Sequence, residues 1–156
     1  MNTARPGDGQ PRRDTSERGG EYTRNRMRKM LEKASGSALG KVQPQAVDLE
    51  EAVLGALMLE KDALTTVIEI LKPESFYREA HQEIYKAILE LFDKSEPVDI
   101  LTVTSQLRKS GTLELAGGAF GISGMTQRVN SAANIEYHAR IVSEMAIKRE
   151  LITIAA

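Results

Sequence analysis

The stretch Asp48-Leu-Glu-Glu-Ala-Val-Leu-Gly-Ala-Leu-Met-Leu59 decides the fold. From Ala52 onward it carries no charged or polar side chain, so a helix formed here has no face to keep in water. Such a helix is typical of the centre of a helical bundle. Glu50 and Glu51 fall in its first turn, beside the positive end of the helix dipole, and Asp48 is expected to cap the free amides.

One residue in this stretch works against a helix. Gly55 costs helix stability relative to alanine. It therefore indicates either the close approach of a neighbouring helix or a tolerated defect. After the stretch, Pro73 is expected to stop the next helix, and the aromatic pair Phe76 and Tyr77 is expected to fill the core.

The rest of the chain repeats apolar residues at three- and four-residue spacing, as amphipathic helices do. Asp99 is placed to cap one of these helices and Gly111 to end it. No segment alternates apolar and polar residues long enough to predict a strand. The fold class is therefore all-α, a compact bundle of five or six helices, with further helices expected over residues 63–71, 79–93, 100–110, 119–129 and from 133 to the C-terminus.

The length, cysteine content and net charge of the chain limit the class of protein. The chain has 156 residues, no cysteine and a net charge of −1. One globular domain in a reducing, cytoplasmic setting fits these numbers. No apolar run is long enough for a membrane span, and the N-terminus lacks the apolar segment of a secretory signal.

Charge is unevenly divided along the chain. Residues 1–43 contain ten Lys or Arg and five Asp or Glu, a balance of +5; residues 44–156 contain eleven and seventeen, a balance of −6. Because nucleic-acid affinity is largely phosphate neutralisation, the acidic part is a poor surface for DNA. Residues 1–43 form a basic N-terminal tail that is expected to be disordered over 1–20.

The segment 22–34 of this tail has two interpretations. Its cations surround a small set of apolar residues: Arg24, Arg26, Arg28, Lys29 and Lys33 around Met27, Met30 and Leu31. They can form a basic arm that becomes helical on a partner, or a solvated leader with fluctuating helicity.

Reactive side chains are sparse. The two histidines, His81 and His138, fall on different predicted helices, and a metal site needs several ligands at coordinating spacing. A structural His81, hydrogen-bonded at a helix start, is favoured. The glycine-rich stretch 117–124 lacks the Lys-Ser/Thr ending of a phosphate loop and no strand precedes it. We predict no catalytic, cofactor-binding or metal-binding residues in this chain.

A series of short motifs resembles the N-terminal domain of bacterial replicative DNA helicases of the DnaB family. No single motif is specific, but they occur in the family's order over residues 44–156. They are Pro44 with Glu51-Ala-Val-Leu-Gly-Ala-Leu57, Phe76-Tyr77 with His81, Glu96-Pro-Val-Asp99 with Thr102-Val103, Gly117-Gly118, Ala132-Ala-Asn-Ile-Glu-Tyr-His-Ala-Arg-Ile-Val142, and Arg149-Glu-Leu-Ile152.

The resemblance implies a helical head followed by the first arm of a helical hairpin, with the chain ending before the return helix, the linker and a RecA-like motor. Such domains pair through their hairpins, assemble from dimers to hexamers, and recruit the primase C-terminal domain and the helicase loader. ATP and Mg²⁺ belong to the motor, which would also contact DNA, while the basic tail here would add at most weak DNA contact. The implied function is assembly and partner docking in DNA replication, without catalysis by this domain.

The resemblance also implies site residues. Primase contacts map to the hairpin arm at Arg149 and Ile152, and to an aromatic after the Gly-Gly turn. That aromatic position is Gly121 here, a departure, with Phe120 beside it. The last helix must bury its apolar stripe against something, which predicts self-association through Ile141, Met145 and Ile152.

Two other functions remain open from the residues. One is a stand-alone nucleic-acid-binding module acting through the basic segment from Arg24 to Lys33. The other is a small enzyme whose active site is not recognisable in the sequence. No cluster of His, Cys or carboxylate residues supports this second function.

Overall fold

The computed structural model describes residues 23–30, 43–129 and 131–155. These divide into two compact units at Pro44, and each unit is described by itself. The described residues contain helices and turns and no strand, so the predicted all-α class is confirmed.

The first unit contributes one described helix, α1, over residues 23–30, whose side chains are all exposed. The disorder predicted for residues 1–20 lies outside the described residues.

The second unit, which we call the head, contains the remaining described elements. Six α-helices and one short 3₁₀ helix follow one another: α2 (Val47–Leu59), α3 (Ala63–Val67), the 3₁₀ helix (Pro73–Ser75), α4 (Glu79–Asp93), α5 (Ile100–Lys109), α6 (Gly118–Gln127) and α7 (Ile135–Ala155).

Helix α2 lies at the centre of the head. Six consecutive residues, 53–58, are buried, which only a helix surrounded on every side can achieve. It packs against α3, α4, α6 and α7. The predicted cap is wrong: α2 begins at Val47, one residue before Asp48, and Ala46 stands at the N-cap without a side-chain bond. The amides of Leu49 and Glu50 bond instead to the Ala46 carbonyl, each at 3.0 Å.

Gly55 marks a close contact of α2, and of the two explanations that the sequence left open, the close approach of a neighbouring helix is confirmed. A Cβ atom at Gly55 would lie 2.6 Å from the Met125 carbonyl oxygen and 2.7 Å from Cγ2 of Val129. The first of these is a backbone atom of α6, which cannot rotate away. The space that glycine leaves therefore sets how near α6 lies to the central helix.

The segment after α2 departs from prediction in two places. Helix α3 ends at Val67, and the Ile70 amide then donates to the Val67 carbonyl at 2.9 Å with the three-residue spacing of a 3₁₀ turn, so the helix predicted to reach residue 71 stops early. Phe76 is buried as expected, but Tyr77 is 40 % exposed. Only one of the two aromatics fills the core, because consecutive residues in the extended segment after the 3₁₀ helix face opposite sides.

Phe76 packs against Tyr85 of α4, with ring centroids 5.0 Å apart. The buried Tyr85 hydroxyl donates to the Leu71 carbonyl at 2.9 Å. Burial disfavours the phenolate and raises the pKa of Tyr85 to about 12, so the hydroxyl stays a hydrogen-bond donor at neutral pH.

Helix α5 begins and ends where the sequence predicts. The Asp99 carboxylate accepts from the Thr102 amide at 2.9 Å, and the Thr102 hydroxyl accepts from the Asp99 amide at 2.9 Å, a capping box. At the other end Gly111 adopts a φ of +72°, while the Thr112 amide reaches back to the Leu107 carbonyl at 3.0 Å. This is the Schellman arrangement, which favours glycine.

The two glycines at positions 55 and 121 give a matched test of this packing. Gly55→Ala should lower the free energy of unfolding by about 1–3 kcal/mol, because the methyl group must displace the α6 backbone. Gly121→Ala should raise it by about 0.5–1 kcal/mol, because nothing lies within 4 Å of the added atom and alanine favours helix. Urea denaturation of both variants measures the difference, and an equal effect of the two substitutions would contradict the packing described for α2 and α6.

Candidate partner-docking surfaces

The turn before α6 presents an aromatic side chain to solvent. Gly117 and Gly118 adopt φ values of +101° and +71°, a region in which other residues are strained. The Gly118 amide donates to the Leu113 carbonyl at 2.9 Å and closes the turn. Phe120 follows in the first turn of α6 and is 92 % exposed. At the neighbouring Gly121, no atom outside its own helix backbone and chain neighbours lies within 4 Å of the position that a Cβ atom would occupy.

Helix α7 joins the head along one stripe. Ile135, Ala139 and Val142 are buried and follow one another at helical spacing. The same spacing leads on to Ala146 and Arg149, which are half-buried. The core-facing stripe therefore ends not in an apolar residue but in a cation.

Arg149 holds α7 against the start of the head. Its guanidinium donates to the Pro44 carbonyl at 2.8 Å and to the Ser75 carbonyl at 2.9 Å, and it lies 5.4 Å from the centre of the Tyr77 ring. The planar guanidinium suits this combination of two acceptors and an aromatic face. Arg149, predicted to be a primase contact, is thus engaged within its own domain, and its role toward a partner stays a prediction.

The end of α7 beyond Arg149 is exposed at every described residue, 150–155. Of the predicted self-association residues, Ile141 and Met145 are half-buried and Ile152 is 49 % exposed. The spacing of these three residues places them on one side of the helix. The structure brings them into one row and leaves their role untested.

Helix α7 also carries a second apolar row, which was not identified from the sequence. Ile147, Leu151 and Ile154 are 54 %, 60 % and 78 % exposed, and the first two line a groove together with Ile70. Their i, i+4, i+7 spacing is visible in the sequence. It was hidden because three apolar rows share this helix, so that no single stripe stands out.

A buried carboxylate lies between the two surfaces. Glu50 and His81 are each only 1 % exposed. The Glu50 carboxylate accepts from His81 Nδ1 at 2.9 Å and from the Tyr77 amide at 2.9 Å. This gives His81 the structural role that the sequence favoured. Glu50 was expected only to lie beside the helix dipole, and its burial was not foreseen.

This polar cluster extends toward both candidate surfaces. On one side Glu51 Oε1 lies 3.9 Å from His81 Nε2, and its other oxygen accepts from Arg128 at 2.6 Å, directly after α6. On the other side Tyr77, bonded to Glu50 through its amide, supports Arg149 with its ring. A contiguous set of polar contacts therefore connects the helix of Phe120 to the helix of Ile152.

Two features are absent from the described part of the chain. It contains no group of three His, Cys, Asp or Glu residues arranged to hold a metal ion. None of its helices has the length and apolarity that crossing a membrane requires. What these residues do offer is an exposed aromatic on α6 and apolar rows on the free end of α7. That is the character of a protein-docking module.

Comparison with known proteins gives the family. The pattern described as "DnaB-like helicase N terminal domain" matches residues 42–144. The chain belongs to this family.

Several relatives and solved structures agree. The replicative DNA helicase DnaB of Rhodothermus marinus is 48 % identical over 131 residues, covering 84 % of this chain and 13 % of that protein. DnaB of Geobacillus stearothermophilus is 48 % identical over 115 residues, covering 74 % and 25 %. The crystal structure of the N-terminal domain of DnaB helicase from Mycobacterium tuberculosis superposes with a TM-score of 0.71 at 42 % identity, covering 73 % of this chain and 79 % of that one.

A second solved structure, of a DnaB-like replicative helicase and its interactions with primase, superposes with a TM-score of 0.62 at 30 % identity, covering 70 % of this chain and 26 % of that one. The chain thus spans a quarter or less of the length of the two helicase relatives named above.

The buried carboxylate can be tested by removing its charge. Glu50→Gln should lower the free energy of unfolding by about 2–4 kcal/mol, because the amide loses the charge-assisted bonds and turns a donor toward other donors. The exposed Glu79→Gln is the matched control and should change stability by less than about 0.5 kcal/mol. Thermal or chemical denaturation measures both, and equal stabilities of the two variants would show that Glu50 does not hold the loop before α4.

Proposed function

We propose that this chain is the assembly and partner-docking domain of a replicative DNA helicase, acting in DNA replication in the cytoplasm and not catalytic by itself. The observation that carries the proposal is family membership together with exposed apolar side chains on α6 and α7. Isolated exposed apolar residues are ordinary, but a series along one free helix end indicates a surface that a partner covers.

The primase C-terminal domain is the partner proposed for the surface around Phe120. An aromatic side chain that is 92 % exposed has the area and rigidity of an interface anchor. The open space beside Gly121 allows a partner to approach the α6 backbone there. Ile152 on α7 extends this contact in the proposal, and a solved relative described with its primase interactions supports the choice of partner.

Arg149 contributes by positioning. Its guanidinium is held by two carbonyl oxygens and an aromatic ring, so it fixes the direction in which the free end of α7 leaves the head. We assign it to primase docking through that direction and through the edge that remains exposed.

Self-association is proposed for the row of Ile141, Met145 and Ile152. These three residues flank the core-facing stripe of α7, and a second copy can bury them by packing helix against helix. The helicase loader is proposed to act on the resulting assembly. ATP, Mg²⁺ and DNA unwinding belong, in this proposal, to a motor domain of the parent protein, and no residue of the head is assigned to them.

Assembly predicts a concentration-dependent sedimentation coefficient. Replacing Met145 and Ile152 with Asp should raise the dissociation constant of the self-associated species by at least about tenfold, because charges then replace buried apolar contacts. Leu101→Asp, at an 81 % exposed position on α5, is the control and should leave association unchanged. A strict monomer at high protein concentration, measured by sedimentation velocity, would contradict the assembly role.

Docking predicts an effect of the exposed aromatic on primase affinity. Phe120→Ala should weaken binding of the primase C-terminal domain from the same organism by about tenfold or more, as expected for an aromatic anchor. Gly121→Tyr, which restores an aromatic at the position that the family resemblance implies, should strengthen it. Isothermal titration calorimetry measures both, with Leu101→Ala as the neutral control. Equal affinity of the Phe120→Ala variant and the unaltered chain would remove the primase assignment from α6.

A further inference from the structure

Helix α1 is a short, strongly basic helix. Four of its eight residues are cationic, Arg24, Arg26, Arg28 and Lys29, and none is acidic. All eight are exposed, including Met27 at 60 % and Met30 at 64 %. The four cationic side chains are therefore accessible at the surface of the helix.

The helical geometry separates the two kinds of side chain. Successive residues turn by about 100° around the helix axis, so Met27 and Met30 share one side. The four cations occupy most of the remaining circumference, with Arg24 and Arg28 one above the other at i, i+4 spacing. The eight residues extend about 12 Å, which gives one positive charge for roughly each 3 Å of axis.

The charge of the rest of the chain favours a polyanion at this helix. Residues 44–156 have a balance of −6 and residues 1–43 a balance of +5. Residues 44–156 therefore repel a phosphate backbone, and residues 1–43 attract it. Each strand of double-stranded DNA carries about one negative charge per 3.4 Å of axis, a spacing close to that of the cations along α1.

The distribution of apolar residues argues against a lipid surface. A helix that lies in a membrane interface needs a broad apolar face that enters the acyl chains. Among the eight described residues of α1, two methionines supply all of the large apolar side chains. Their narrow side, enclosed by cations, offers too little area for that mode.

We propose that α1 binds the phosphate backbone of a nucleic acid without reading its sequence. The cations of the described helix contact successive phosphates. The head does not take part. This inference is independent of the partner-docking function, since it concerns the other unit of the chain.

The test is the salt dependence of oligonucleotide binding by the full chain, followed by fluorescence anisotropy with a labelled oligonucleotide, single-stranded or annealed. Neutralisation of three or four duplex phosphates predicts that affinity falls about 40- to 150-fold between about 50 and 200 mM salt. Replacing Arg24, Arg26, Arg28 and Lys29 together with Gln should weaken binding at the lower salt at least about tenfold and flatten the salt dependence.

The matched control neutralises four exposed cations of the head, Lys61, Lys94, Arg108 and Lys109, also with Gln. This variant should bind as well as the unaltered chain or slightly more weakly, since it removes no phosphate contact and only makes the head more negative. Equal losses in the two variants would overturn the proposal, as would binding that is indifferent to salt.

A second experiment distinguishes nucleic acid from the other possible binding partners of α1. Met27→Ser with Met30→Ser should change oligonucleotide affinity less than about threefold, because the methionines face away from the phosphates. A large loss of oligonucleotide affinity in this variant, together with tighter binding of the unaltered chain to phosphatidylserine vesicles than to the oligonucleotide, would overturn the proposal in favour of a lipid surface. Cross-linking of α1 to an acidic face of the head with no oligonucleotide binding would overturn it in favour of a protein contact.

Discussion

The head depends on one constraint: over residues 53–58, helix α2 has no side that water can contact. Residues 53–58 are buried without interruption, so other helices must enclose α2 around its whole circumference. Each of those helices covers part of α2, and tertiary packing of this kind supplies most of the stability of helices in proteins. The removal of apolar area from water, about 25 cal/mol per Å², is the dominant favourable term in such a fold. The bundle is therefore organised from its centre outward.

At the first turn of this apolar helix the protein buries a carboxylate. Glu50 is tolerated because backbone and imidazole donors surround it, including the Tyr77 amide and His81. A buried acceptor satisfied in this way specifies the position of the groups that donate to it. The loop before α4 is thus fixed to the central helix by hydrogen bonds, while the helices around it are fixed by apolar contact. Tyr77, held by this loop, in turn supports Arg149.

The sequence predicted those features whose cause is local. The spacing of Ile84, Ile88 and Leu91 is enough to predict α4, and its bounds agree with the structure. The capping box of Asp99 and Thr102 spans three residues and could be foreseen for the same reason. The all-apolar stretch of α2 required a central position, whichever helices surrounded it.

Features that depend on distant residues could not be predicted in this way. The donors to Glu50 lie 27 to 31 residues further along the chain, and the acceptors for Arg149 are 74 and 105 residues away. Periodicity gives the face of a helix but not the identity of the group opposite. Even the start of α2 was displaced by a residue, because the carbonyl of Ala46 took the role that Asp48 was expected to fill. The primase-docking residues were recognised through family resemblance and the self-association row through the apolar stripe of the last helix, while the second apolar row became evident only in the structure.

The anchoring of Arg149 has a mechanical consequence. The six described residues that follow it, 150–155, are exposed and extend about 9 Å along the helix axis beyond the contacts of the guanidinium with the head. They form a short lever arm, with its pivot at the guanidinium and its stiffness supplied by the helix backbone. A force applied to residues 150–155 is therefore transmitted through Arg149 to the Pro44 and Ser75 carbonyls, without first deforming the apolar core.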